Sequence, residues 1–93
     1  VLLIRIFYNS QVNCQHCAWA VSFMERYKFE YKTIDISDMK NNDEYVKAEN
    51  TLHELKEDIG ILPFVMVDEE NGFTGFPSTE TEFEVLEYLQ QIK

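Results

Sequence analysis

Residues 1–17 read VLLIRIFYNSQVNCQHC, which is an apolar run, a polar loop and then Cys14-Gln15-His16-Cys17, with the only two cysteines of the chain. The nearly continuous apolar character of residues 2–8 predicts a central strand that is covered on both faces. A helix is predicted over residues 14–27, because apolar side chains recur there at helical spacing, at Cys17, Val21, Met24 and Tyr27. The cysteine pair is therefore expected where a strand gives way to a helix.

The middle of the chain continues this alternation of strand and helix. Residues 29–36 predict a second strand that ends in a polar turn. A long helix is expected over residues 42–58, where apolar positions follow one another at steps of three and four. Gly60 is expected just past its end, since glycine commonly terminates helices.

The last third of the chain predicts a hairpin and a final helix. Residues 64–67 predict a short strand, and Asn71-Gly72 predicts the turn into a returning strand over residues 73–76. Thr79 and Glu82 have the spacing of a capping box at the start of a helix. Its apolar stripe comprises Phe83, Val85, Leu86, Leu89 and Ile92.

The predicted order of elements is β-α-β-α-β-β-α. Helices of this length between strands imply right-handed parallel crossovers, and the hairpin implies antiparallel neighbours. We therefore predict an α/β fold of the thioredoxin type, with a four-stranded mixed sheet flanked by helices. Because 93 residues supply one modest core, residues 1–93 are predicted to form a single domain.

Composition and charge exclude several classes of function. Seventeen acidic against eight basic residues give a net charge of −9, whereas affinity for nucleic acid comes largely from Lys and Arg on phosphates. No stretch approaches the roughly 18 to 20 apolar residues that cross a bilayer. We expect neither nucleic acid nor membrane as a partner. The acidic surplus predicts a solvated face or, alternatively, steering of a basic protein partner.

Two cysteines do not make a disulfide scaffold, since small secreted domains usually carry four or more. The pair is better explained as catalytic, in a reducing compartment such as the cytoplasm. The alternative is half of a zinc site, which only His16, His53 and carboxylates could complete to four ligands. His53 otherwise has the pattern of an ordinary surface residue.

Two thiols separated by two residues can close a reversible disulfide. A helical turn that starts near Asn13 would direct free N–H groups and the positive end of its dipole at the Cys14 sulfur, which favours the attacking thiolate. His16 close to that sulfur would stabilise the thiolate further and make the disulfide more oxidising. The alternative is that His16 is a solvent-facing loop residue without consequence.

These features together resemble the glutaredoxins. The resemblance rests on a first strand that ends in Tyr8, the Cys-x-x-Cys that opens a helix, the run Ile61-Leu62-Pro63-Phe64-Val65-Met66-Val67-Asp68, the hairpin, and Gly75-Phe76 before a helix. It implies that Cys14 is the exposed nucleophile, that Cys17 is more buried and resolves the mixed disulfide, and that Pro63 is cis, with the backbone of Leu62 beside Cys14. The substrate-binding or glutathione-binding residues that it implies are Tyr8, Gln15, His16, Leu62, Pro63, Gly75, Phe76 and Ser78.

The sequence departs from the glutaredoxin pattern at two places. Thr74-Gly75 and Pro77-Ser78 stand where glutaredoxins usually have Gly-Gly and a nearby Asp. The Lys or Arg that would hold a carboxylate of glutathione is missing from residues 9–13, so weak glutathione binding is expected. Residues 73–78 are also similar to a segment of the redoxins that serve ribonucleotide reductase and take electrons from thioredoxin reductase.

The resemblance implies a cytoplasmic, monomeric dithiol–disulfide oxidoreductase that takes part in electron transport. It would reduce protein disulfides or glutathione mixed disulfides, with glutathione as co-substrate or a thioredoxin reductase as donor, and without a tightly bound cofactor. Two other functions stay open: a non-catalytic thioredoxin-fold binding module, and an iron–sulfur carrier that uses Cys14 and glutathione. Trp19, Phe64 and Phe76 are predicted either to rim the thiol or to lie in the core.

Overall fold

The computed structural model describes residues 3–76 and 82–92. Within them the predicted order of elements is confirmed, with one added 3-10 turn at Met39–Asn41. The elements are β1 Ile4–Tyr8, α1 Gln15–Arg26, β2 Tyr31–Asp35, α2 Asn42–Glu54, β3 Phe64–Met66, β4 Gly72–Thr74 and α3 Phe83–Ile92.

The four strands form one mixed sheet in the order β2-β1-β3-β4. β1 is parallel to β2, whereas β3 is antiparallel to β1 and β4 is antiparallel to β3. The end of β1 therefore lies beside the beginning of β3, where Phe7 pairs with Phe64. This register brings the loop after β1, which leads to the cysteines, to the same edge of the sheet as Pro63.

β1 is a central strand with both faces covered, as predicted. Ile4 and Ile6 pack on one face in a cluster with α1 and α3 residues, which include Phe23 and Leu89. Phe7 points to the opposite face and packs in a cluster with α2, including Leu52. Each fully buried large apolar side chain contributes about 1.5–3 kcal/mol, so this two-sided burial fixes the strand in the middle of the fold.

Lysines end the first two helices where glycine is the usual residue. Lys28 and Lys56 have φ values of 59° and 64°, in the left-handed region. The N–H of Lys56 donates to the carbonyl of His53 at 3.0 Å and that of Glu57 to Leu52 at 2.9 Å, which is a Schellman motif. The prediction that α2 runs to residue 58 with Gly60 as its cap is therefore wrong. The helix ends at Glu54 because the chain turns at Lys56.

The same motif at Lys28 delays the second strand. The N–H of Lys28 donates to the carbonyl of Glu25 and that of Phe29 to the carbonyl of Met24. Because the N–H of Phe29 is used in this helix end, β2 begins at Tyr31 rather than at residue 29.

Gly72 lies in strand β4 and not in the turn, which corrects the prediction from Asn71-Gly72. The turn is held instead by Asp68, whose Oδ1 accepts hydrogen bonds from the N–H groups of Glu70 and Asn71, both at 2.8 Å. A Cβ at Gly72 would meet Met66 Sδ at 2.6 Å and Val65 O at 2.7 Å. Glycine is required there because the backbone of β3 approaches too closely for a side chain.

The third helix is tied to the first through a buried carboxylate. Glu82 is 6% exposed and accepts hydrogen bonds from Arg26 Nη1 and, at 3.4 Å, from Tyr27 Oη. α3 begins at Phe83, so Glu82 precedes the helix rather than occupying its third position. Thr79, the other half of the predicted capping box, lies outside the described residues.

None of the helices in the described part of the chain is long and apolar enough to cross a membrane.

Candidate active site

Cys14 and Cys17 lie at the start of α1, as predicted, and their sulfur atoms are joined as a disulfide. Their Cα atoms are 5.3 Å apart. Cys14 occupies the N-cap position in extended conformation and is partly exposed, whereas Cys17 lies in the first turn and is 7% exposed. A reagent from solvent therefore meets the sulfur of Cys14 before that of Cys17.

The helix start surrounds the Cys14 sulfur with backbone donors. The N–H of Cys17 donates to Cys14 Sγ at 3.2 Å, where a serine or aspartate oxygen would accept at an ordinary N-cap. The carbonyl of Cys14 accepts from the N–H of Ala18 at 3.3 Å, which begins the helical ladder. Both the hydrogen bond and the positive end of the helix dipole stabilise negative charge on this sulfur when the pair is reduced.

Two clefts meet at the disulfide. The first, which we call the His16 cleft, has a volume of about 560 Å³ and is lined by Val12, Asn13, Cys14, Gln15, His16, Gly60, Ile61, Leu62, Gly75 and Phe76. The second, the Tyr8 cleft, has a volume of about 370 Å³ and is lined by Ile6, Tyr8, Asn9, Ser10, Val12, Cys14, Cys17, Ala18, Val21 and Thr33. Cys14 lies in both linings, so the disulfide is reachable from two sides.

The predicted binding residues divide between these clefts. Five of them line the His16 cleft together with Cys14, namely Gln15, His16, Leu62, Gly75 and Phe76. Tyr8 lies in the other cleft, and Pro63 is buried beside Leu62. Ser78 lies outside the described residues.

The segment before Pro63 forms part of the wall of the His16 cleft, together with Cys14. The Leu62–Pro63 peptide bond is cis, as the resemblance implied. The carbonyl of Pro63 accepts from the N–H of Gly75 at 2.8 Å, which ties this segment to the end of β4. Gly75 has a φ of 74°, and a Cβ there would meet Ile61 Cδ1 at 3.1 Å. Only glycine adopts this turn without strain.

The His16 ring is turned toward the Phe76 segment. Its Nδ1 lies 2.7 Å from the carbonyl oxygen of Phe76, and its ring packs edge-on against Trp19 with 4.8 Å between centroids. The hydrogen bond that Cys14 Sγ receives comes from the Cys17 backbone. Among the described residues no hydrogen bond joins the His16 ring to the Cys14 sulfur, because Nδ1 of the ring is directed at Phe76.

Asp35 anchors the loop before Cys14, and the sequence reasoning missed it. Its Oδ1 accepts from the N–H of Ser10 at 3.1 Å and from the N–H and hydroxyl of Ser37 at 3.0 and 2.7 Å. These hydrogen bonds, from Ser10 first and then from Ser37, hold the pKa of Asp35 well below its usual range. The place of Asp35 could have been predicted, because it ends β2 and the carboxyl ends of the parallel neighbours β1 and β2 meet at one edge of the sheet.

Of the two placements predicted for Trp19, Phe64 and Phe76, the core placement is confirmed for Phe64 and Phe76. Phe64 and Phe76 are 1% and 3% exposed and belong to the core, and Trp19 is only partly exposed. The apolar side chains that do stand beside the disulfide are Val12 and Ile61, which are 53% and 46% exposed. Both lie in loops, where no periodicity could indicate them.

No group of three or more His, Cys, Asp or Glu side chains within residues 3–76 and 82–92 is arranged to hold a metal ion. His53 is exposed on α2.

A cysteine pair at a helix start that shares a cleft with the segment before a cis-proline is typical of thiol–disulfide redox proteins of the thioredoxin-like class. The sequence model of the glutaredoxin family matches residues 6–71, and the chain belongs to that family. The family and the paired cysteines establish a thiol–disulfide redox role. A search among curated protein sequences finds no significant match.

Two solved glutaredoxin structures share the fold. The glutaredoxin grx-1 of Archaeoglobus fulgidus is 16% identical with a TM-score of 0.66, over 92% of this chain and 84% of that one. Glutaredoxin 1 of Francisella tularensis, solved in complex with cacodylate, is 19% identical with a TM-score of 0.59, over the full length of both chains. At these identities the likeness concerns the fold, which is a four-stranded mixed sheet with helices.

Proposed function

We propose that this protein is a dithiol–disulfide oxidoreductase that reduces protein disulfides or glutathione mixed disulfides through Cys14 and Cys17. The observation that carries the proposal is the unequal placement of the two sulfurs. Cys14 is partly exposed at the helix N-cap and accepts an N–H from Cys17, while Cys17 is 7% exposed. One sulfur is thus suited to attack a substrate and the other to act within the protein.

The reaction begins with the reduced pair. The Cys14 thiolate attacks one sulfur of the substrate disulfide, the substrate S–S bond breaks, and the departing sulfur takes up a proton as a free thiol. Cys17 then loses its proton and attacks the Cys14 sulfur of the mixed disulfide. This step forms the Cys14–Cys17 bond and releases the second substrate thiol, so two electrons and two protons reach the substrate.

The substrate would lie in the His16 cleft, which has a volume of about 560 Å³ and is lined by both Leu62 and Cys14. An extended cysteine-containing segment would pair there with the backbone of Leu62, as an added strand pairs with a sheet edge. Val12 and Ile61 supply exposed apolar surface in the lining of the same cleft.

The oxidised pair must be reduced again by an external thiol. Two glutathione thiols would reduce the pair by forming glutathione disulfide, and a thioredoxin reductase would reduce it directly. A thioredoxin reductase is also the donor expected for a redoxin that serves ribonucleotide reductase. No Lys or Arg lines the described part of the His16 cleft, which supports weak binding of anionic glutathione. We place the protein in the cytoplasm, since the pair must be kept reducible.

The experiment measures NADPH consumption with a protein disulfide as substrate, once with glutathione and glutathione reductase and once with thioredoxin reductase. We expect turnover in at least one arm, none with Cys14→Ser in either, and loss of protein-disulfide reduction with Cys17→Ser. Cys17→Ser should still turn over a glutathione mixed disulfide in the glutathione arm, since Cys14 alone can exchange with glutathione. Activity that survives in Cys14→Ser would overturn the mechanism, and no turnover in either arm would favour a non-catalytic binding module.

A further inference from the structure

A second groove lies beside β4, the outer strand of the sheet, and is lined by residues of β4 and α3. We call it the Tyr88 groove. It has a volume of about 400 Å³, which is in the range of clefts that take small ligands. Its lining includes the rings of Phe73 and Tyr88, which pack edge to face with 5.7 Å between centroids. Both side chains are partly exposed, so a ligand can reach aromatic surface there.

Two carboxylates line the same groove, whereas its described lining includes no Lys or Arg. Glu57 Oε1 accepts from the N–H of Thr74 at 3.1 Å, which holds this carboxylate against β4. Glu84 lies in the first turn of α3 and is exposed. Burial raises the pKa of Tyr88, and the negative charges of Asp68 and Glu57 raise it further. The aromatic rings therefore lie in a region of negative potential.

Aromatic rings beside carboxylates suit a cation that has an apolar stem. A guanidinium or ammonium group within about 6 Å of a ring centroid is attracted by the face of the ring, and a carboxylate adds an ion pair. Lys and Arg carry such a group on an aliphatic stem that packs on apolar surface. Neither Glu57 nor Glu84 forms an ion pair with a cation of the described residues. Both carboxylates can therefore take a cation from a partner.

The Tyr88 groove adjoins the His16 cleft, because Gly75 and Phe76 line both. A protein segment that enters the His16 cleft would therefore continue into the Tyr88 groove. A second copy of this chain is a poor occupant, since each copy has a net charge of −9 and the two would repel each other. The charge and the position of the groove together favour a basic segment of a substrate protein.

We propose that the Tyr88 groove is a docking site for a Lys or Arg side chain of a protein substrate. The stem of that side chain packs on Phe73 and Tyr88, and its charged head pairs with Glu57 and Glu84. The inference deepens the proposed function and rests on it only in taking the partner to be a disulfide substrate. Substrates with a basic residue near the disulfide are then preferred over neutral or acidic ones.

An NMR titration of the oxidised full chain with a blocked pentapeptide that carries two arginines tests the proposal without redox chemistry. The matched peptide has citrulline in place of arginine, which keeps the shape of the side chain and removes its charge. We expect the arginine peptide to shift the amide signals of Thr74 and Tyr88. It should bind about three- to tenfold more tightly than the citrulline peptide, as for an exposed ion pair together with a cation–π contact.

Two double variants separate the groove from the overall charge. Glu57→Gln keeps an acceptor for Thr74, and together with Glu84→Gln it should abolish most of the preference for arginine. Glu30→Gln with Glu44→Gln makes the same change of net charge at residues that line a different cleft, and it should keep the preference.

The proposal is overturned if wild type binds both peptides equally, if the shifted signals lie outside the groove, or if the control variant loses the preference as fully as the groove variant. It is also overturned if the groove signals shift with protein concentration alone, which would place a second copy there. None of these outcomes alters the NADPH assay, and a failure of that assay leaves the peptide titration unaffected. The two proposals therefore fail separately.

Discussion

The backbone N–H of Cys17 donates a hydrogen bond to Sγ of Cys14 at 3.2 Å, in addition to the disulfide bond between the two cysteines. The residue that we propose resolves the mixed disulfide also donates a hydrogen bond to the proposed nucleophile. Both properties follow from a spacing of three positions at a helix N-terminus, where residue N3 donates to the cap. β1 ends six residues before Cys14, at the edge of the sheet beside Pro63, and this position of the strand end brings the helix N-terminus to the site.

Gly72→Ala is expected to destabilise the protein by about 1–3 kcal/mol, the usual cost of overpacking. The new Cβ would lie 2.7 Å from the backbone oxygen of Val65, which cannot move without breaking the hairpin. Gly60→Ala is the matched control, because its Cβ meets only the side-chain oxygen of Asp58 at 3.2 Å. Urea denaturation of both variants measures the difference, and equal losses would contradict the assignment of Gly72 to a crowded strand.

Lys56→Gly is expected to raise the free energy of unfolding by about 0.5–1 kcal/mol. A left-handed conformation costs a side-chain-bearing residue about 1–2 kcal/mol, part of which is offset by the greater freedom of glycine in the unfolded chain. Lys28→Gly should act in the same direction at the end of α1. Lys47→Gly, inside α2, is the control and should lose about 1 kcal/mol. A loss of stability in both cap variants would show that the lysine side chains matter there.

The contribution of Asp35 to stability is expected to depend on pH. Because the hydrogen bonds from Ser10 and Ser37 lower its pKa in the folded state, its stabilisation is present in full above the unfolded value of about 4 and is lost as pH falls further. Asp35→Ala should therefore be less stable than wild type at about pH 7, and the gap should narrow at about pH 2.5. Urea midpoints at the two pH values measure the gap, and Ser37→Ala should show part of it. A gap of constant size would contradict the prediction.

Much of the fold could be predicted because its signals are local. The unbroken apolar run of β1 indicates burial on both faces, and helical spacing after Cys14 places the sulfur at a helix start. The ends of α1 and α2 could not be predicted, since Lys28 and Lys56 give no sequence sign of positive φ. Gly72 was misassigned because a close approach to Val65 and a turn call for the same residue.

The site was predicted less completely than the fold, because its contacts join distant parts of the chain. The hydrogen bond from His16 to Phe76 spans 60 positions, and nothing in either segment indicates the other. Val12 and Ile61 lie in loops, so their exposure beside the disulfide follows from tertiary structure alone. The cis bond at Pro63 was available only from the resemblance to glutaredoxins.

The central claim is that Cys14 is an activated nucleophile and Cys17 its shielded partner. The most direct test is the rate of iodoacetamide alkylation of the reduced protein as a function of pH, with the modified cysteine identified by peptide mapping. We predict that Cys14 reacts first, with a midpoint at least about one unit below the value of about 8.5 for a free cysteine. Alkylation of Cys14 with a midpoint near that of a free thiol, or faster modification of Cys17, would contradict the account.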